Sequence, residues 1–226
     1  MSSSAPSPDQ GSLLSRDRIR SHALELADTR GLTALTIRTL AASLGTKPMS
    51  VYHYVSGKEQ ILDWIVDAVF AEISDPTPNQ PWRPALSARY HSARQTLLRH
   101  PWAVPLMESR RSPGPSTLRH HEATLEVLRS SGFSVPQAAH AYALLDAYLY
   151  GSVLQESALP LNDGGGIGEE MAAVADAFSP EQLPRLREMA TEHILRPGYD
   201  FGEEFGFGLE LILDGLERLL QSVQTF

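Results

Sequence analysis

Within KPMSVYHY, residues 47–54, the sequence gathers a cation (Lys47), a hydroxyl (Ser50), an imidazole (His53), a phenol (Tyr54) and the apolar surface of Met49. Such groups hydrogen-bond to phosphate oxygens and to base edges, so the chemistry they suggest is recognition of nucleic acid. A second cluster, His120-His121-Glu122, invites a metal site. A zinc peptidase would need His-Glu-x-x-His, and the fifth place here is Leu125. Adjacent histidines at a helix surface are usually solvated, and His121 is a better candidate for lining a ligand pocket. No Gly-x-Ser-x-Gly occurs, Gly151-Ser152 sits inside a helical run, and the chain contains no Cys. The glycine-rich LNDGGGIGEE, residues 161–170, lacks the Lys and the preceding strand of a phosphate cradle and reads as a linker. No enzyme activity, cofactor or metal site is expected.

The elements that must present residues 47–54 follow from spacing. Thr36 is placed to cap a short helix, and Ile37, Leu40, Ala41 and Leu44 recur along it at helical intervals. Gly45 follows the last apolar position, where positive φ ends a helix at least cost. After a short turn a second helix spans 48–54, with Pro48 near its first position and Val51, Tyr52 and Val55 keeping it on the core. Two short helices, a Gly-bearing turn and a buried stripe on each describe a helix-turn-helix, whose second helix would enter a DNA major groove. A solvated helix in an ordinary bundle has the same spacing.

The run 31–67, GLTALTIRTLAASLGTKPMSVYHYVSGKEQILDWIVD, resembles the N-terminal DNA-binding domain of the TetR family of transcriptional repressors. The matching features are L-T-x-x-x-L-A-x-x-L-G from Leu35, S-V-Y-x-Y-V from Ser50, and Gly57-Lys58-Glu59 followed by Leu62. Residue chemistry and resemblance together give an expected DNA-facing set of Thr36, Arg38, Lys47, Pro48, Met49, Ser50, Tyr52, His53, Tyr54 and Lys58. The resemblance implies phosphate contacts for Arg38 and Lys58, and a palindromic double-stranded operator as partner.

Charge is divided in a way that suits this reading. The chain of 226 residues is 42% hydrophobic and carries a net charge of −8. Through Gln60, seven Lys/Arg stand against five Asp/Glu, whereas the remainder has twelve against twenty-two. The basic part coincides with the expected DNA-binding part, as phosphate attraction requires. No apolar run approaches the roughly 20 residues that span a bilayer, and MSSSAPSPDQGSLLS lacks the features of a secretory signal, so a cytoplasmic protein without membrane contact is expected.

Taken in order, the Ser/Pro-rich residues 1–14 read as a disordered tail, and helices are expected over 15–30, the two described above, and one opened by a capping box at Ser56. Residues 15–74 form the expected DNA-binding domain. The Pro-rich DPTPNQP, 75–81, is the expected boundary, and 82–226 reads as a second helical domain. The expected fold class is all-α. Helix 135–157 is apolar on two sides and must be covered on two sides, one of them by a second copy of the chain. Its Tyr148 and Ser152, with Leu209, Ile212, Leu216 and Leu220 of a last helix, are the expected homodimer interface.

The segment 132–156, GFSVPQAAHAYALLDAYLYGSVLQE, resembles the matching helix of the tetracycline-repressor branch of the same family. In that branch this helix and the last one build the dimer's four-helix bundle, and an inducer binds within the C-terminal core. The resemblance puts an effector pocket near Arg89, Ala93, Met107, His121, Thr124, Leu125, Tyr142 and Asp146. The magnesium-chelating histidine of that branch would fall at Met107 or Glu108; Met is a poor ligand for a hard cation, while Glu alone could serve. A tetracycline–magnesium inducer is therefore not expected; a largely apolar small molecule is. The competing readings are a DNA-binding architectural protein without an effector and, third, a helical enzyme.

Overall fold

The computed structural model describes residues 14–77, 79–107, 112–158 and 183–223. Residues 1–13 of the expected tail, the glycine-rich linker and Glu108 lie outside the described residues, whereas Leu14, expected in the tail, packs against the core. Among those described the fold is all-α, with no strand.

α1 (Arg16–Ala34) opens at Ser15, whose hydroxyl accepts a hydrogen bond from the Arg18 amide at 3.2 Å. Ile19, Ala23, Leu26 and Ala27 form its buried face, as the spacing predicts. Gly31, at φ 73°, breaks the helical path just past the expected end at residue 30, and one further turn lies beyond it. α2 (Ile37–Ser43) and α3 (Pro48–Tyr52) follow, then α4 (Lys58–Ala71), which buries Ile61, Leu62, Ile65, Val66, Val69 and Phe70.

The capping box expected at Ser56 does not form. Gly57 is the N-cap of α4, so the third helical position belongs to Gln60 and not to Glu59. Gln60 Oε1 accepts from the Ser56 amide at 2.8 Å.

α5 (Trp82–Arg99) stops ahead of Pro101, and α6 (Ala103–Met107) is a single short element. α7 (Pro115–Ser130) precedes α8 (Val135–Ser157), which Ser134 and Gln137 open with a complete capping box. α9 (Pro184–Met189) runs into a π-helical turn, Ala190–Ile194. α10 (Phe201–Val223) starts where Asp200 Oδ1 accepts from the Gly202 amide at 2.8 Å.

One apolar core runs from Ile19 in α1 to Leu216 in α10. α4 is its shared wall, packed on α1 at one side and on α7 at the other. The Pro-rich segment 75–81 therefore turns the chain without separating the packing of the two halves. A polar joint reinforces the contact. His100 Nδ1 lies 2.7 Å from Asp28 Oδ1 in α1, its Nε2 lies 3.2 Å from Glu72 Oε2, and Trp102 Nε1 donates to the same Asp28 oxygen at 2.7 Å.

Candidate nucleic-acid interface and ligand pocket

The turn between α2 and α3 is built by local chemistry. Thr36 Oγ1 accepts from the Thr39 amide at 3.1 Å while Thr39 Oγ1 accepts from the Thr36 amide at 2.9 Å, a reciprocal cap made by two threonines. At the other end Gly45 takes φ 66°, the Thr46 amide donates to Ala41 O at 2.9 Å and the Gly45 amide to Ala42 O at 3.1 Å. Those two bonds are a Schellman motif, and only a residue tolerant of positive φ completes it cheaply.

α3 then leans on the core through Val51 and Val55, both buried. Lys47, Pro48, Met49, Tyr52 and His53 are exposed, and Ser50 is half-buried. The two tyrosines exchange the places expected of them: Tyr52 faces solvent, and Tyr54 packs against the core. At about 100° per residue both lie similarly far from the Val51–Val55 stripe, so helical spacing does not choose between them. The choice is made where α3 ends. The Tyr54 amide bonds back three residues to Val51 O at 2.9 Å, a tighter turn that swings Tyr54 inward.

Arg38 is exposed in the first turn of α2. Lys58 is half-buried, and its Nζ donates to Leu32 O at 3.3 Å, where it satisfies a carbonyl at the end of α1.

A cavity of about 510 Å³ opens between α4, α7 and α8. Asp63, Val66 and Phe70 supply the α4 wall, Met107, Gly114, Thr117 and His121 a second, and Tyr142, Ala143, Asp146, Ala147 and Tyr150 the α8 wall. Burial pushes the Asp146 carboxyl up from its ordinary range, and hydroxyls that hydrogen-bond to it pull the other way. Tyr90 donates to Oδ1 at 2.8 Å and Tyr150 to Oδ2 at 3.4 Å. The Tyr142 hydroxyl lies 2.6 Å from His121 Nδ1, and burial lowers the pKa of His121.

Four of the eight expected pocket residues, Met107, His121, Tyr142 and Asp146, line this cavity. Arg89, Ala93 and Thr124 are buried outside its lining, and Leu125 packs on the core. Arg89 is a cross-brace: Nε donates to Thr124 Oγ1 at 3.2 Å, Nη1 to Ser74 O at 2.7 Å, and Nη2 to His120 Nδ1 at 2.8 Å and His120 O at 2.9 Å. Burial and the adjacent guanidinium press His120 down to about 3, and its buried Nε2 has no partner among the described residues. The α4 wall has no signal of its own in the sequence, because apolar residues such as Val66 and Phe70 suit a filled core equally well.

Asp67 ties this pocket to α4. Its Oδ1 accepts from the amides of Ser116 at 2.8 Å and Thr117 at 2.9 Å and from Thr117 Oγ1 at 3.2 Å, so a carboxylate on α4 caps α7. Gly114 lies so close that a Cβ there would stand 2.3 Å from that carboxylate.

The outer face of α8 and α10 is apolar. Leu144, Phe207, Leu211 and Leu219 are exposed, and a groove of about 500 Å³ runs between the two helices beside Leu144, Leu211 and Leu219. Leu209 and Leu216, expected at a dimer interface, are buried inside the protomer; Ile212 and Leu220 are partly buried. Tyr148 stacks on Phe205 and donates to Glu204 O at 3.0 Å, and Ser152 donates to Tyr148 O at 2.8 Å. The broad apolar face of α10 thus has an inner half that its own chain covers and an outer half that it does not.

Comparison with known proteins gives a consistent picture. Residues 19–65 match the family model for bacterial regulatory proteins of the tetR family, and residues 75–220 match that of the tetracyclin repressor-like C-terminal domain. The HTH-type transcriptional repressor DrrR1 of Streptomyces coeruleorubidus is 34% identical, over 95% of this chain and 82% of its own. The class E tetracycline repressor protein of Escherichia coli is 34% identical over 64% of this chain and 70% of its own. Among solved structures, the Streptomyces coelicolor TetR family protein ActR in complex with actinorhodin superposes with a TM-score of 0.77 at 28% identity, covering 91% of this chain and 96% of that one.

Proposed function

This chain belongs to the TetR family of DNA-binding transcriptional regulators, and on that premise we propose that it is a homodimeric repressor released from a palindromic operator by a small molecule. Residues 15–74 are the DNA-binding unit and 82–226 the effector-binding and dimerisation unit. α3 enters the major groove with Met49, Ser50, Tyr52 and His53 toward the bases, and Arg38 and Lys47 hold phosphates. The outer face of α8 and α10 pairs with its copy, since two half-sites must be gripped together. The protein acts in the cytoplasm and is not an enzyme.

The observation that carries this reading is the position of the cavity. It lies between α4 and the helix that α4 caps, and α4 packs on α1 of the DNA-binding unit. An occupant that parts α4 from α7 has a direct mechanical route to the reading heads. ActR, solved with actinorhodin, is a relative whose structure holds a ligand, which supports an effector for this chain over the effector-free architectural reading.

Selection from randomised duplexes tests the proposal. It should return a two-fold palindrome with half-sites about one helical turn or more apart, bound by two protomers. A single half-site held by a monomer would overturn it.

A further inference from the structure

Asp146 is 7% exposed, yet the hydrogen bonds that reach it come from phenols: Tyr90 at 2.8 Å and Tyr150 at 3.4 Å, with Tyr142 alongside. Phenols hold a carboxylate in place without cancelling its charge. Arg89 lies close enough to feel that charge, but its donors are committed to Ser74 O, His120 and Thr124, and it pairs with Asp75 at 3.5 Å. The walls around Asp146 include the rings of Phe70, Tyr142 and Tyr150, whose faces are electron-rich. Asp63 adds a second carboxylate to the lining, and among the described lining residues there is no Lys or Arg. His121, lowered by burial, favours its neutral form.

A carboxylate set among aromatic faces is the chemistry by which proteins hold ammonium groups. A buried carboxylate whose hydrogen-bond partners among the described residues are all neutral gains most from an occupant that brings a counter-charge. We propose that the cavity takes an organic cation, with its amine at Asp146 and its hydrophobic body against Phe70, Tyr142 and Tyr150. This deepens the effector reading above and rests on it, and it revises the expectation of a largely apolar inducer.

Three compounds with one ring system and different charge separate the possibilities: 1-naphthylmethylamine, the uncharged 1-naphthylmethanol, and 1-naphthoate. Calorimetric titration into the full-length protein at neutral pH, without DNA, should find the amine about tenfold or more tighter than the alcohol, and the carboxylate weakest. In Asp146→Asn the amine and alcohol should differ by no more than about twofold, while Asp63→Asn should keep most of the preference. An alcohol as tight as the amine, a carboxylate tightest of the three, or no binding of the amine at millimolar concentration overturns the inference. So does an Asp146→Asn protein that is folded by circular dichroism and still prefers the amine. Should that variant not fold, the wild-type ranking alone decides. Release of operator is measured separately: amine-selective binding with no effect on operator refutes the effector role and leaves the charge preference standing.

Discussion

Removing the Asp67 carboxylate should uncouple the pocket from the DNA-binding unit while leaving the helix-turn-helix intact. Asp67 Oδ1 accepts two backbone amides and one hydroxyl in the first turn of α7, all between 2.8 and 3.2 Å. The N-cap residue of α7 itself is Gly114, which has no side chain to take over. Loss of a helix cap costs about 0.5–2 kcal/mol, and the charge on this acceptor places Asp67→Ala at the upper end, about 2 kcal/mol. For a chain of this length that is a fall of about 4–8 °C in the unfolding midpoint. The loss is of the same order as the coupling free energies that join sites in allosteric proteins, about 1–3 kcal/mol. Operator affinity in the absence of ligand should stay close to wild type, because α2 and α3 are untouched. The factor by which a pocket ligand weakens operator binding should fall toward one. Fluorescence anisotropy on labelled operator, with and without ligand, reads both quantities. An Asp67→Ala protein that melts like wild type and is induced as fully would refute the role given to this cap.

The remaining predictions concern charge and assembly. His120 has a folded pKa of about 3, well below the 6.5 of an ordinary histidine, so the unfolded chain takes up the proton first. Its contribution is intact above about pH 6.5 and is lost as pH falls toward 3, at up to about 1.4 kcal/mol per pH unit; urea unfolding at several pH values should show a shallower slope in His120→Asn. Lys47→Ala should lower the salt slope of operator binding by about one. Lys58→Ala should lower it less and should also reduce stability, since Lys58 is bonded to Leu32 O; equal slopes with unchanged melting would put Lys58 on phosphate. Leu211→Arg places a charge on the exposed apolar face of α10; sedimentation should then show monomers, and operator binding should fail with the helix-turn-helix unaltered.

Much of the fold was legible because the punctuation was local. Ser15, Thr36, Ser134 and Asp200 cap the helices that the spacing placed after them, and Gly31 and Gly45 stand at positive φ where helices were expected to end. What sequence could not supply was decided by tertiary packing. Tyr52 and Tyr54 flank one apolar stripe about equally, and the tightened turn after α3 settles which is buried. Arg89 carries the chemistry of a ligand contact, but its donors are consumed by Ser74, His120 and Thr124, two of them distant in sequence. Val66 and Phe70 look the same whether they face a filled core or a cavity. Asp67 capping α7 joins residues 49 apart, a spacing that no local pattern encodes.

The most direct test of the account is reciprocal binding. Operator selected from randomised duplexes and any compound shown to occupy the cavity between α4, α7 and α8 are titrated separately and together. The account predicts that saturating operator weakens the compound's affinity by the same factor by which the compound weakens operator binding. Equal compound affinities with and without operator would contradict it, because the cavity would then have no connection to the DNA-binding unit.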